Sequence, residues 1–203
     1  MQLKTSFKKI LLVVVILGLS LLSLFLLFSP KETIQSNTIP STVNANVALI
    51  KEQPDCGLPM RLRISAINVD AQIEYVGLTS DGTMDVPKNP ANVAWLMTGE
   101  KPGENGSAVI AGHYGAWKNG EGSVFDNLYK LNKGDQLFVE DDQGAIISFV
   151  VSEKREYDPT ANVADVFASD DGKSHLNLIT CDGTWNNAAK SYSKRLVVFA
   201  EKE

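Results

Sequence analysis

The chain has 203 residues, including 19 Lys or Arg and 24 Asp or Glu, and its formal net charge at pH 7 is −5. From residue 57 onward the acidic excess is larger, with 14 basic and 21 acidic residues and a net charge of −7. A surface of this sign repels phosphate backbones, which argues against a nucleic acid partner. The length accommodates one folded domain after an export segment.

Residues 1–31 have the pattern of a membrane anchor. Lys4, Lys8 and Lys9 precede an uncharged run of 19 residues, 10–28. As a helix this run would extend about 28 Å, close to the ~30 Å hydrocarbon core of a bilayer. No small-residue cleavage pattern follows it, so an uncleaved anchor is expected. The lysines on its N-terminal side predict a cytoplasmic N-terminus and an extracytoplasmic remainder.

The next segment, residues 32–57, is rich in Ser, Thr, Asn and Gln and shows little hydrophobic periodicity. This composition is typical of an extended linker, so we interpret it as an extracytoplasmic tether. The folded domain is then expected to occupy residues 58–203. No internal repeat is visible in it.

Short alternating runs dominate this domain, and one segment, 124–131, is expected to form one or two helical turns. The predicted strands are 61–64, 73–76, 107–113, 136–140, 145–156, 176–181 and 195–201. Seven or eight short strands with long polar loops predict an all-β fold, a closed or nearly closed barrel of antiparallel type with short helical turns.

The strand that ends in Cys181 orients this cysteine. Leu176, Leu178 and Thr180 share one face, which suits the core, and Cys181 lies on the opposite face. Asp182-Gly183 then reads as a turn that ends the strand. We therefore expect the thiol to point toward a groove.

Two further polar residues lie at or near strand ends, His113 and Arg195. A thiolate can attack an amide or ester carbonyl, a histidine can supply the proton, and a cation can stabilise the tetrahedral oxyanion. Cys181, His113 and Arg195 therefore form a candidate catalytic set. Catalytic groups are commonly distant in sequence and brought together by the fold.

Each of these residues also has an ordinary structural interpretation. Cys181 could be a buried structural cysteine, or it could form a disulfide with Cys56, since an extracytoplasmic domain permits such a bond. His113 could be a hydrogen-bonded strand-end residue, and Arg195 could form a surface ion pair. His175, the other histidine, is expected to lie solvated in a polar loop.

The residues around the candidate set form three motifs, in the order histidine strand, cysteine strand and arginine strand. They are Val109-Ile110-Ala111-Gly112-His113, Leu178-Ile179-Thr180-Cys181 and Lys194-Arg195-Leu196-Val197-Val198-Phe199-Ala200. With them the chain resembles the sortases, membrane-anchored cysteine transpeptidases of bacterial cell surfaces, and it is most similar to class F. Further matches are Val69-Asp70-Ala71, Val76-Gly77-Leu78, Met84-Asp85-Val86-Pro87, Lys101-Pro102-Gly103 and Leu131-x-x-Gly134-Asp135.

The resemblance implies a reaction and a role for each residue. Cys181 would attack the carbonyl after Thr in a C-terminal sorting signal of the LPxTG type and form a thioacyl enzyme. An amino nucleophile of a cell-wall precursor or a pilin lysine would then resolve it. His113 would be the general acid and base, Arg195 would hold the oxyanion, and Thr180 would help bind the substrate. No cofactor is expected, since no ligand pattern for calcium is specific.

Two positions depart from the sortase pattern: Asp182, where many members carry Gly, and Tyr114-Gly115 after the histidine. Three alternative functions share some of these features. An L,D-transpeptidase would need a Gly before the cysteine, where this chain has Thr180. The other two are a non-catalytic anchored β-domain that binds a surface partner and a sortase-like peptidase that mainly hydrolyses. Convergence of Cys181, His113 and Arg195 separates an enzyme from a binding domain.

Overall fold

The computed structural model describes residues 56–117 and 120–203, and its secondary structure is almost entirely β. The eight strands are β1 (Pro59–Ile64), β2 (Val69–Val76), β3 (Val93–Leu96), β4 (Gly106–Gly112), β5 (Gln136–Asp141), β6 (Ile146–Tyr157), β7 (Ser174–Asn186) and β8 (Ser191–Lys202). The helical parts are 3-10 turns at Ser65–Ile67 and Leu128–Lys130 and one α-helix, α1 (Ala164–Phe167). The predicted all-β fold with short helical turns is confirmed.

The strands close into a barrel in the order β1-β2-β3-β4-β7-β8-β6-β5, in which β5 pairs back onto β1. Two neighbouring pairs are parallel, β2 with β3 and β4 with β7. The antiparallel arrangement expected from the sequence is therefore wrong at these two places. Parallel neighbours need long crossover connections, and the loop from Val76 to Val93 and the excursion through β5 and β6 provide them.

The barrel interior is filled by alternate residues of the strands. On β7 and β8 the inward residues are Leu176, Leu178, Val198 and Ala200, all of them fully buried. Because strand side chains alternate strictly, their neighbours Ile179, Cys181, Val197 and Arg195 face outward (the outer wall). On β7, Leu176 and Leu178 are residues that the alternation assigned to the core face.

Strand β3 was missed in the sequence. Its four residues, Val93-Ala94-Trp95-Leu96, are all buried, so it lacks the apolar–polar alternation of a half-exposed strand. The sequence of a short strand that is covered on both faces is a continuous apolar run. Hydrophobic periodicity cannot decide whether such a run is a strand or a helix.

Strand β7 does not end at Cys181, as the sequence suggested. It continues to Asn186, and its register with β8 shifts between Asp182 and Trp185. Gly183 has φ +79°, and a Cβ there would lie 2.4 Å from the Ser193 hydroxyl. Asp182-Gly183 is therefore a β-bulge within a long hairpin and not the turn that closes it.

The described domain begins earlier than Leu58. The Gly57 amide donates to the Asp141 carboxylate over 3.2 Å, and the Leu58 amide donates to Asp142 over 2.9 Å. Cys56 is buried, and both cysteines of the chain are free, so the structure contains no Cys56–Cys181 disulfide. Two residues assigned to the tether thus belong to the domain.

The predicted anchor, residues 1–31, and the tether up to residue 55 lie outside the described residues. Among the residues that the structure does describe, no helix is long and apolar enough to cross a membrane.

Candidate active site

Cys181 and Arg195 lie directly opposite each other on the neighbouring strands β7 and β8. Cross-strand partners point to the same face of a sheet, so the two side chains share the outer wall of the barrel. Both are half-buried and line one groove of about 720 Å³. The next outward pair along the strands, Ile179 opposite Val197, lines the same groove. An apolar floor therefore leads to the reactive pair.

The groove walls are mostly apolar and come mainly from strands β3, β4, β7 and β8 and from two segments outside the sheet, 78–86 and 158–167. Besides Arg195, the charged residues Glu100 and Asp158 also line the groove. The apolar lining residues are Leu78, Met84, Val86, Leu96, Ala111, Val163, Val166, Phe167, Ile179 and Val197. Helix α1 is held against the barrel because the buried Asn177 amide donates to the Val166 carbonyl over 2.7 Å. Helix α1 was not expected from the sequence, although Val163, Val166 and Phe167 have the i, i+3, i+4 spacing of a one-sided helical turn.

His113 follows β4 directly, at the barrel end where Cys181 follows Thr180 on the parallel strand β7. The ladder runs to Ala111 opposite Ile179, and the Thr180 hydroxyl donates to the Gly112 carbonyl over 2.8 Å. Gly112 leaves no room for a side chain, since a Cβ there would lie 2.4 Å from the Phe125 ring. The strand ends thus place the histidine next to the cysteine strand.

The His113 ring is oriented by two contacts. Its Nε2 lies 2.7 Å from the Pro87 carbonyl oxygen, and its ring packs on Trp117 with centroids 5.1 Å apart. A carbonyl only accepts, so Nε2 carries a hydrogen and donates it, which leaves Nδ1 as the nitrogen that exchanges a proton. His113 is not among the described residues that line the groove. Its convergence with Cys181 and Arg195 stays a prediction.

Arg195 is held by its own strand and by the hairpin beyond it. Its Nη1 donates to the carbonyls of Lys194 over 2.9 Å and Tyr192 over 3.2 Å, and its Nη2 donates to the Ser191 hydroxyl over 3.3 Å. Of the five guanidinium hydrogens, the Nε hydrogen and one Nη2 hydrogen have no partner among the described residues. Those two are available for an anion in the groove.

Thr180 is buried, and its hydroxyl is engaged in the bond to Gly112. Its side chain therefore hydrogen-bonds β7 to β4. Thr180 is also one of the residues that line the groove. The predicted contribution of Thr180 to substrate binding stays a prediction.

Removing this hydroxyl should lower stability. We expect Thr180→Val to cost about 1–2 kcal/mol of unfolding free energy, because the Gly112 carbonyl loses its donor inside the protein. Thermal unfolding should show a fall of several degrees in Tm. The same change at Thr160, which is exposed, is the matched control and should leave Tm unchanged. Equal Tm values for both variants would contradict the structural role.

Two opposing effects act on the Cys181 thiol. Burial raises the pKa of Cys181 above its usual value, and the positive charge of Arg195 lowers it by a smaller amount. Since the net shift is upward, the thiol is mostly protonated at neutral pH. A nucleophile in this state needs a base to take its proton.

The reactivity of Cys181 should therefore depend on pH in a defined way. In a Cys56→Ser background, the rate of alkylation by iodoacetamide should rise with pH, with a midpoint above that of a free cysteine. Arg195→Gln should move the midpoint further up, because the charge that lowers the Cys181 pKa is removed. A midpoint that is unchanged, or lower, in Arg195→Gln would show that the guanidinium does not act on the thiol.

His175 does not join the candidate set. It is the second residue of β7, not part of a polar loop as expected, and its Nε2 lies 3.0 Å from Asp171. This bond and the Lys173 amide lower the pKa of Asp171 to about 2. Within 56–117 and 120–203, no three His, Cys, Asp or Glu side chains are grouped so as to hold a metal ion.

Several residues near the site were not singled out in the sequence. Asp126 accepts from the Gly115 amide over 2.7 Å and the Ser123 amide over 2.9 Å, and so shapes the loop after His113. Tyr192 contacts the same loop from β8. No local pattern marks them, since the partners of Asp126 lie in an irregular loop and Tyr192 meets Tyr114 at a separation of 78 positions.

Comparison with known proteins agrees with this architecture. The family model described as Sortase domain matches residues 62–203. A search of curated protein sequences found no match. Among solved structures, sortase C1 of Streptococcus agalactiae, in a complex with MTSET, is 26% identical with a TM-score of 0.55. Sortase C-1 from Actinomyces oris is also 26% identical, with a TM-score of 0.55.

The matches cover most, but not all, of each chain. The first alignment spans 71% of this chain and 66% of the Streptococcus chain, just under two thirds, and the second spans 71% and 72%. A lid mutant of sortase A from Corynebacterium diphtheriae shares the fold at 23% identity and a TM-score of 0.55. These structures are named sortase C and A, so similarity to class F stays a prediction. The chain belongs to the sortase family.

Proposed function

We propose that this protein is a membrane-anchored sortase that cleaves a C-terminal LPxTG-like sorting signal after Thr. The acyl group passes through Cys181 to an amino nucleophile of a cell-wall precursor or a pilin. One observation carries the assignment of residues: Cys181 lies directly opposite Arg195 on the outer wall, in a groove lined mostly by apolar residues. A nucleophile and an oxyanion donor on adjacent rigid strands are what acyl transfer needs.

In the first half-reaction the Cys181 sulfur attacks the carbonyl carbon of the substrate threonine. The thiol proton passes to His113 as the S–C bond forms, and the negative charge collects on the carbonyl oxygen. The free Nε and Nη2 hydrogens of Arg195 are the donors suited to this oxyanion. The C–N bond then breaks, and His113 protonates the leaving amine.

The second half-reaction reverses these roles. An amine attacks the thioester carbon, His113 takes its proton, and the C–S bond breaks as the new amide forms. The thiol is regenerated with the proton held by His113. Since Nε2 is bonded to the Pro87 carbonyl, Nδ1 is the nitrogen assigned to both proton transfers.

The shape of the groove supports a sorting signal as substrate. The cross-strand pair Ile179–Val197 is the outward-facing pair next to Cys181–Arg195. The two pairs are separated by two residues, roughly 7 Å along the strands. An extended peptide can therefore place apolar residues on this floor while a carbonyl two residues further on reaches the sulfur. This order matches an apolar Leu-Pro pair that precedes the scissile Thr-Gly bond.

The cellular setting follows from the sequence. Residues 1–31 are assigned as a single-pass anchor with a cytoplasmic N-terminus, and the catalytic domain then faces outward. Partners would be surface proteins that carry a C-terminal sorting signal, together with the amino acceptor. The solved relatives include sortase C1 of a Streptococcus agalactiae pilus island, which supports a pilin as one candidate acceptor for this chain.

The test uses the full chain, purified in detergent, with a peptide that contains an LPxTG-like sequence. Intact mass should show a thioacyl adduct, and an added amine should convert it to an amide product. A peptide of the same composition in scrambled order is the control. Absence of any adduct across a library of sorting motifs would favour a non-catalytic binding domain. A carboxylic acid product despite excess amine would favour a peptidase that mainly hydrolyses.

A further inference from the structure

One departure from the sortase pattern, Tyr114-Gly115, contributes a ring to an aromatic cluster whose central residue also contacts Arg195. Tyr114, which follows His113, packs edge-on against Tyr192 with centroids 5.3 Å apart. Burial and the negative charge of Asp182, the other departure, raise the pKa of Tyr114. Trp185 contacts the same Tyr192 ring with centroids 5.1 Å apart. Tyr192 is therefore the centre of the cluster.

The hairpin that carries Tyr192 extends beyond the barrel ladders. β4 pairs with β7 as far as Ile179, and β6 pairs with β8 as far as Arg195. Past these points, among the residues that the structure describes, β7 pairs only with β8, and Trp185 lies opposite Tyr192. A two-stranded ribbon with a bulge is marginally stable by itself. The aromatic contact with Tyr114 connects this ribbon to the rest of the domain.

The tip of the Tyr192 ring rests against the loop that follows His113. A Cβ on Gly115 would lie 2.2 Å from the Tyr192 hydroxyl oxygen, and Gly115 has φ +93°. Only glycine permits both the backbone angle and this close approach. The loop is supported from its other side, where Asp126 accepts from the Gly115 amide. The loop that follows His113 is thus held in place where the Tyr192 ring packs against it.

The same residue also holds Arg195. The Tyr192 carbonyl accepts from Arg195 Nη1 over 3.2 Å, and the neighbouring Ser191 hydroxyl accepts from Nη2 over 3.3 Å. Both acceptors belong to the two-stranded ribbon, which is marginally stable by itself. The Tyr192 ring fixes this ribbon to the loop that follows His113. The position of the guanidinium therefore depends on where the ring is docked.

We propose that Tyr192 is a positioning residue, which fixes the Arg195 guanidinium relative to Cys181 and His113 by docking the β7–β8 ribbon onto the Tyr114-Gly115 loop. This inference rests on the proposed function, because it assigns Arg195 to the oxyanion. It also gives a role to Tyr114-Gly115, which the resemblance left without one.

The experiment compares four variants of the full chain in detergent: Tyr192→Ala, Tyr192→Phe, Arg195→Gln and Tyr75→Ala. The last is a matched control, because Tyr75 forms an equivalent edge-on pair with Trp95, with centroids 5.7 Å apart, away from the groove lining. Single-turnover acylation by an LPxTG-like peptide gives the maximal rate and the half-saturating concentration. Alkylation against pH, in a Cys56→Ser background, reports the charge beside the Cys181 thiol.

Tyr192→Ala should lower the maximal acylation rate about 10- to 100-fold, because a displaced guanidinium no longer meets the oxyanion. The alkylation midpoint should move upward, in the direction of Arg195→Gln. A loss of general stability would not produce this shift. Tyr192→Phe keeps the ring and the carbonyl and should stay close to wild type, as should Tyr75→Ala.

The outcomes separate this proposal from the proposed function. If Arg195→Gln changes rate and midpoint while Tyr192→Ala changes neither, the positioning role is wrong and the catalytic assignment stands. If Arg195→Gln itself changes neither, the assignment of Arg195 is wrong.

Gly115→Ala provides a second test if Tyr192→Ala does not fold. Its methyl group would displace the Tyr192 hydroxyl, so it should slow acylation as Tyr192→Ala does. Adding Tyr192→Phe removes the clashing oxygen and should recover part of the rate. The strain at the positive φ is common to both proteins and cancels in the comparison. No recovery would contradict the docking contact.

Discussion

Cys181→Ala should leave the protein unable to form a covalent adduct with a sorting-signal peptide. The sulfur is the atom that would carry the acyl group, and the one other cysteine, Cys56, is buried and does not line the groove. Since covalent catalysis cannot proceed without its nucleophile, acylation should fall to background. Single-turnover incubation followed by intact mass measures it.

The matched control is Cys56→Ser, which removes the other thiol and leaves the groove unchanged. It should acylate at a rate close to that of the wild type. An adduct on the Cys181→Ala protein would refute the assignment of the nucleophile. If a folded Cys56→Ser protein lost acylation, Cys56 would have a role in catalysis, which would contradict its position outside the groove.

Arg195→Gln should slow acylation by about 10²–10³-fold, the usual cost of losing one oxyanion donor. Arg195→Lys should remain substantially impaired although it keeps the charge. The guanidinium donates to Tyr192, Lys194 and Ser191 and still has hydrogens for the substrate. An ammonium has three hydrogens and no planar fork, so it cannot hold the same position and serve an oxyanion as well.

Stopped incubations at saturating peptide give the acylation rate of each variant. Lys194→Gln is the matched control, because Lys194 is exposed, neighbours Arg195 on β8 and pairs with Glu156 outside the groove lining. Removing this neighbouring charge should leave the rate near that of the wild type. An Arg195→Lys enzyme with wild-type rate would show that charge alone suffices, and that the fork geometry has no role.

The orientation of the site along β7 was predictable because it depends on a local rule. Strand side chains alternate strictly, so buried Leu178 and Thr180 determine that Cys181 faces outward. The same rule applies on β8, where buried Leu196, Val198 and Ala200 leave Arg195 on the outward face. The structure then adds what alternation cannot give, namely that the two residues are register partners across β7 and β8.

Other features depend on contacts that no local pattern encodes. The His113 ring is oriented by the Pro87 carbonyl, which comes from a segment 26 positions away. The parallel neighbours β2–β3 and β4–β7 are consequences of the whole topology. Asp182-Gly183 was misread because an Asp-Gly pair with a left-handed glycine suits a tight turn and a bulge equally.

The chain enters the barrel at Cys56 and Gly57 and continues directly into β1. In the ring of strands, β1 is separated from β7 by β2, β3 and β4 on one side, and from β8 by β5 and β6 on the other. A pull on the preceding segment would therefore load the ladders of β1 with β2 and β5 in shear. The strands that carry Cys181 and Arg195 lie outside that load path, so such a pull would leave the reactive pair in register.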